Sequence, residues 1–347
     1  MSSYHKISVK SLYNFFDAVL SPYELLPEVA EALKTHLVEA NLCGMDSHGL
    51  QQIFGYVKSL RSGRMNPKPN LSVNSVRPTM IRIDGDRSPG QYAGKVATEK
   101  AIEVARQFGM AVVGVSNSNH FGMAGYYTRM AAEAGTIGFA TSDTSAVDLA
   151  PYGGTKAKLG NNPISWGIPT GTLQPVILDM AAGTVSGGKV KHFAYQVLPI
   201  PLGWGLTETG EPTENPKQVA VNLPASYKGS GLAFVADLLC GPLLGTVAAM
   251  FKNKAIHDGA NGTGHLFWVL DVEAWTDRKE FEQRVQDAIA SLKETPRLDP
   301  NQPIYYPGEL EAMTRQERLL TGIPIPQTLI EELATFFGED SVSQLIN

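Results

Sequence analysis

The chain has 347 residues, 43% of them hydrophobic, and a formal net charge of −5. That is enough apolar material for one large unit or two interleaved domains. The acidic balance offers no basic footprint for nucleic acid, and no uninterrupted apolar run of about 18 residues points to a membrane span.

Charged residues make up only 18% of the chain, below the roughly 25% usual in soluble proteins, which leaves room for a large subunit interface. Met1-Ser2-Ser3-Tyr4-His5-Lys6 lacks the apolar centre of a signal peptide. Cys43 and Cys240 provide neither a disulfide framework nor a metal-ligand spacing. A reducing cytoplasm and no metal are expected.

In chain order, residues 9–20 predict an amphipathic helix with Leu12, Phe15, Phe16, Val19 and Leu20 on one face. Ser21-Pro22-Tyr23-Glu24 reads as a capping box. The helix that follows carries Val29, Ala30, Leu33, Leu37 and Ala40 and delivers the chain to Asp46-Ser47-His48-Gly49. Gly49 to Leu60 predicts a third helix, with Ile53, Val57 and Leu60 inward. Tyr56 stands eight residues after His48, just over two helical turns, so both can face one cleft.

A strand is predicted over 80–84. Ser88-Pro89-Gly90-Gln91 reads as a second capping box, opening a helix to Phe108 that Gly109 stops. Strand 110–115, helix 122–134 and strand 136–141 continue an α/β alternation. Further strands are expected over 164–168, 176–180 and 265–271. An apolar, buried helix is expected over 229–245 and an exposed one over 278–292. Two short helices should follow Pro307-Gly308-Glu309.

The chemistry is sought in histidine, whose ordinary pKa near 6.5 allows proton transfer at neutral pH. Asp46-Ser47-His48 sets an acid, a hydroxyl and an imidazole together. His120 lies in a polar loop between a strand and a helix, Asn117-Ser118-Asn119-His120-Phe121-Gly122, where active residues concentrate. His5, His36, His192, His257 and His265 have no comparable surroundings.

No G-x-G-x-x-G follows a strand, so a dinucleotide would bind in a non-Rossmann way. Gly183-Thr184-Val185-Ser186-Gly187-Gly188-Lys189-Val190 falls short of a P-loop, because Val190 stands where a magnesium-binding hydroxyl belongs. Its glycines and lysine still suit an anion. Lys228 opens a helix, where a bound anion would offset its clash with the helix dipole.

Taken together and in order, these motifs resemble the type 2 malate/L-lactate dehydrogenase family, also called sulfolactate dehydrogenase-like. The likeness runs from Asp46-Ser47-His48-Gly49 through Ser118-Asn119-His120-Phe121-Gly122, Leu159-Gly160-Asn161-Asn162-Pro163 and Leu178-Asp179-Met180-Ala181. It continues through Gly188-Lys189-Val190 and Lys228-Gly229-Ser230-Gly231-Leu232 to Pro307-Gly308-Glu309.

The resemblance implies an α/β, non-Rossmann NAD(P)-binding fold with a mixed sheet and flanking helices, and a homodimer. It implies a catalytic and dimerisation domain over 1–120 and 235–347, with a cofactor-binding domain over 121–234. It implies reversible hydride transfer between NAD or NADP and a small 2-oxo/2-hydroxy acid or related cyclic imine. Ser47, His48 and His120 match the family's catalytic positions, with either histidine as the proton-transfer group. Tyr56 and Gln52 match substrate positions. Asp179, Met180, Ala181, Lys228, Gly308, Glu309, Thr144 and Asn162 match cofactor positions.

Three departures stand out. Gln52 occupies the position of a carboxylate-clamping arginine, whose fork an amide does not replace; Arg61 or Lys58 is then expected to serve, or the substrate is not an ordinary 2-oxo acid. Asn161 stands for a threonine, and Ala181-Ala182-Gly183 for Ala-Thr-Ser. A dinucleotide-binding sensor without turnover is the other reading.

Overall fold

The computed structural model describes residues 4–144, 147–172, 174–253 and 259–346. Met1-Ser2-Ser3 and His257, both read in the sequence, lie outside them. The chain opens with strand β1 (Tyr4–Ile7) and helices α1 (Val9–Leu20), α2 (Pro27–Leu42) and α3 (Ile53–Arg61). Strands β2 (Ser72–Arg77) and β3 (Met80–Asp84), helix α4 (Gly90–Phe108), β4 (Met110–Ser118), α5 (Ala124–Glu133) and β5 (Thr136–Ser142) follow. Next come β6 (Ile164–Ile168), β7 (Val176–Met180), α6 (Gly187–Tyr195), the short β8 (Gly205–Leu206) and β9 (Val221–Asn222), and α7 (Ser226–Cys240). The chain ends with β10 (Thr263–Asp271), α8 (Arg278–Lys293), α9 (Glu309–Thr321), β11 (Ile323–Pro326), α10 (Gln327–Phe337) and α11 (Glu339–Ile346).

The five apolar residues expected on the inner face of α1 are all buried. They join Leu33 and Leu37 of α2, Ile53 and Val57 of α3 and Leu333 of α10 in one core. Each such side chain contributes about 1.5–3 kcal/mol on full burial. Pairing of β1 with β11 ties the two ends of the chain to this helical layer.

The second core lies on a seven-stranded sheet, ordered β2-β3-β4-β10-β5-β6-β7. Only β3 and β4 pair in parallel, because the long crossover α4 joins them; the neighbouring pairs are antiparallel. Ala93, Ala97, Ala101 and Ala105 give α4 a face of small residues that packs on the sheet. Gly94 lets the helix approach Tyr127, since a Cβ there would stand 2.6 Å from the ring. The sheet runs without interruption from the segment expected to hold the cofactor into the rest of the chain.

Several local expectations need correction. Ser21 does not cap α2; its Oγ donates to the Ala18 carbonyl, and Glu24 takes a left-handed φ of 48°. The helix starts at Pro27, with Leu26 as its cap. Ser88 does not cap α4 either. Pro89 holds that place, and the Ser88 Oγ is buried without a partner. In both tetrapeptides the preceding turn fixes the serine before a helix can start.

Ala30 is only half-buried. The predicted third helix over 49–60 opens with a separate turn over 50–52 before α3 begins at Ile53. The helix α7 buries a single stripe and leaves Phe234, Val235 and Leu238 exposed. Three helices, not two, follow Gly308, because Gly322 and Gly338 break the chain at φ 84° and 90°. Strands β1, β2, β8, β9 and β11 and helix α6 are additional to the predicted elements.

Candidate active site

The first wall of the site is the tight turn over Asp46–His48, placed by the end of α2. Asn41 organises it. Its Nδ2 donates to Asp46 Oδ1 at 2.7 Å, and its Oδ1 accepts from the Leu50 amide at 2.7 Å. Gly49 is required beside it, because a Cβ would stand 2.2 Å from Asn41 Oδ1. Arg318 of α9 grips Asp46 with both terminal nitrogens, at 2.7 and 3.1 Å. Asp46 therefore braces the turn. The Ser47 Oγ, 2.9 Å from His48 Nδ1, is what orients that ring.

The second wall is the loop after β4. Its backbone is held from both sides: Asn119 Nδ2 donates to the carbonyls of Arg87 and Ser88 at 2.7 and 2.9 Å, and the Met123 amide donates to buried His36 Nε2 at 2.7 Å. Gly90 lets α4 begin against this loop, since a Cβ there would lie 2.2 Å from the Asn119 carbonyl oxygen. Within it, His120 Nδ1 is 2.8 Å from Tyr56 OH. Gln91 Nε2 donates to that same phenol oxygen at 2.6 Å. With the amide so placed, the Tyr56 proton points to His120 Nδ1, and the ring proton of neutral His120 sits on Nε2.

The two imidazoles meet as nearly parallel rings, with centroids 5.8 Å apart and planes at 24°. Burial lowers His48 to about 4. Burial and then the neighbouring His48 lower His120 to about 3. Loss of water disfavours the charged ring, so both are neutral at pH 7. Burial, opposed by the Gln91 hydrogen bond, pushes the Tyr56 hydroxyl up.

The remaining walls come from strand ends and loops. Together they enclose a cleft of about 930 Å³ lined by Ser47, His48, Gln52, His120, Thr144 and the Asp179–Ala181 run. A second cavity of about 340 Å³ shares Asp179, Met45 and Met123 with it and includes Gly308. Asp179 Oδ2 accepts from the Gly125 amide at 2.6 Å, while burial raises its carboxyl to about 6.

Other predicted residues stand further back. Tyr56 lies behind His120. Asn162 is fully buried; its Oδ1 accepts from the Thr144 amide at 3.0 Å and its Nδ2 donates to the Ala233 carbonyl at 2.8 Å. Glu309 pairs with Lys293 beside the second cavity. Lys228 is exposed on the first turn of α7 and lines neither space. Arg61 and Lys58 do not reach the cleft; both lie over the Phe336 ring.

Gln52 is committed as well, its Nε2 donating to the Ser47 carbonyl at 2.6 Å. Two of the departures prove to be coupled. Asn161 Oδ1 accepts from the Gly183 amide at 2.6 Å, and a Cβ on residue 183 would stand 2.7 Å from that oxygen. The larger side chain at 161 fits because residue 183 has none. Sequence reasoning overlooked the site roles of Asn41, Gln91 and Arg318: Gln91 and Arg318 act on partners 35 and 272 residues away, and Asn41 sits within α2, where nothing local marks it.

The family model for malate/L-lactate dehydrogenase matches residues 7–334. The chain belongs to the malate/L-lactate dehydrogenase family. This dehydrogenase is 34% identical to a malate dehydrogenase of Pyrococcus abyssi over 95% of its own length and 94% of the relative's. It is 30% identical to the ureidoglycolate dehydrogenase (NAD(+)) of Escherichia coli O157:H7, over 94% and 95% of the two chains. The solved malate dehydrogenase of Pyrococcus horikoshii OT3 superposes with a TM-score of 0.86 at 31% identity, covering 97% and 99% of the two chains.

The protein is thus an oxidoreductase of this family, which works with a nicotinamide cofactor. The site fits such a group. Two cavities share Asp179, Met45 and Met123, and glycines 183, 187 and 188 line the larger one, where no side chain of theirs fills the space.

Proposed function

We propose that the protein interconverts a small 2-hydroxy acid and its 2-oxo acid, or a related cyclic imine, using NADH or NADPH. The observation that carries this reading is the stacked pair of neutral imidazoles facing the Asp179–Ala181 wall. The nicotinamide group, when bound, supplies hydride in one direction and takes it in the other. The cofactor runs along the 121–234 segment, past Asp179 toward Gly308. Thr144 and Asn162 shape its bed, and Glu309 and Lys228 act at its margins.

The chain's own contribution is proton control. His48, oriented by Ser47, accepts the hydroxyl proton in oxidation and returns it in reduction. His120 presents Nε2–H to the substrate oxygen, because Tyr56 and Gln91 keep its Nδ1 an acceptor. A hydrogen-bond donor fixed at an oxygen that gains charge in the transition state needs no reorganisation as the reaction proceeds. Tyr56 therefore acts on the substrate through His120.

The exposed Phe234, Val235, Leu238, Leu243 and Phe251, together about α7, support a homodimer. Two free, buried cysteines accord with a reducing cytoplasm. The test is oxidation of NADH and NADPH across a panel of 2-oxo acids and cyclic imines. Turnover of at least one is expected. Tight cofactor binding with no turnover on any would make the protein a sensor instead.

A further inference from the structure

Lys189 lies in the first turn of α6. Its amide donates to Ser186 Oγ at 3.2 Å, and its ammonium stands over the Trp204 ring, 5.7 Å from the centroid. It lines the main cleft. Gly188 brings the helix against the histidine wall: a Cβ there would stand 2.8 Å from Ser47 Cβ. The lysine thus follows directly on the residue that touches the turn carrying His48.

The charges around it are unequally matched. The carboxylates lining the cleft are Asp46, Asp148 and Asp179. Arg318 balances the first. Asp148 Oδ2, near the start of α6, accepts from Asn222 Nδ2 at 3.1 Å, and Asp179 is held by the Gly125 amide. Among the described residues Lys189 is the only lysine or arginine lining this cleft, and it forms no ion pair there. An aromatic face restrains an ammonium without neutralising it.

We propose that Lys189 is the counter-ion for the substrate carboxylate, and so determines the preference for 2-oxo acids over uncharged ketones. This rests on the function proposed above. A carboxylate next to the reacting carbon needs a cation close to the proton-transfer group. Gln52, whose Nε2 donates to the Ser47 carbonyl, is a neutral amide and supplies no charge there. Lys189 lines the same cleft as both imidazoles, one residue on from the glycine that packs on Ser47.

The experiment is calorimetric titration of the full-length protein with oxamate, a carboxylate-bearing mimic of a 2-oxo acid, with and without NADH. It is run on wild type, Lys189→Met and Lys189→Arg, with NADH affinity measured in parallel. A lost charge-assisted contact weakens oxamate about 10- to 100-fold in Lys189→Met. Lys189→Arg recovers most of it, and NADH affinity stays within about twofold, as expected when the cofactor makes no contact with this ammonium.

Unchanged oxamate affinity in Lys189→Met overturns the proposal, as does failure of the wild type to bind oxamate. A loss of NADH affinity matching the loss of oxamate overturns it too, by making Lys189 a holder of the cofactor phosphates. Lysine-dependent oxamate binding in a wild type that reduces no 2-oxo acid upholds the carboxylate site and sinks the reductase reading instead.

Discussion

The two sides of the cleft are built by different means. On the histidine side every backbone turn is braced from elsewhere in the chain: Asn41 and Arg318 hold the Asp46–His48 turn, while Asn119, His36 and Gln91 hold the loop and ring of His120. The other part of the lining is a short helix, glycine-rich turns and a lysine whose ammonium stands over an indole. The braced side fixes the hydrogen-bond partners of its histidines. The looser side can change its recognition groups without disturbing them, and the paired change at Asn161 and Gly183 is an instance.

The contrast is broken most severely by removing the imidazoles. His48→Ala is expected to lower kcat by about 10²–10⁴-fold, the usual value of positioned acid–base help. His120→Ala should lower kcat by about 10²–10³-fold, as loss of one oxyanion donor does. Steady-state kinetics of both variants check this, and wild-type turnover in either removes that residue from the chemistry.

The next largest effect tests the wiring behind His120. Tyr56→Phe deletes the proton donor to Nδ1 and should cost roughly tenfold in kcat, the scale of one buried hydrogen bond, with cofactor affinity unchanged. A change confined to KM would instead make Tyr56 a substrate contact.

The bracing itself can be measured by thermal unfolding. Arg318→Met leaves Asp46 half-buried and without its cation, a loss of about 1.5–3 kcal/mol, read as a clear fall in Tm. An unaltered Tm would show that the Asp46–Arg318 pair merely decorates the turn.

The pH dependence gives the smallest but sharpest signal. Burial holds His48 near 4, so its neutral, proton-accepting form is complete by about pH 6. Oxidation kcat/KM should therefore be flat with respect to this group above pH 6 and fall below pH 4. Reduction needs the protonated form, so its kcat/KM should decline across the neutral range. An inflection near the ordinary imidazole value in both directions would contradict this.

Much of this was legible in the sequence, and for physical reasons. The spacing of Leu12, Phe15, Phe16 and Val19 admits only one buried face, and the strands over 164–168 and 176–180 have the bounds that alternation and bordering turns predict. Strand β2 gave no signal because all six of its residues are exposed at a sheet edge. The serines at 21 and 88 misled because a capping pattern is local, whereas the turn before each helix is fixed by tertiary contacts. In the site, His48 and His120 could each be found from their neighbours. Their stacking, and the service of Gln91 and Arg318 to them, depends on packing between segments tens to hundreds of residues apart.

The measurement that bears most directly on the neutral, unequally wired imidazoles is ¹⁵N NMR of histidine-labelled protein, with His48→Gln and His120→Gln used for assignment. At pH 7 the His120 signals should be those of a ring protonated at Nε2 and bare at Nδ1, and both rings should resist protonation until well below pH 5. A proton on Nδ1 of His120, or titration of either ring between pH 6 and 7, would contradict the account.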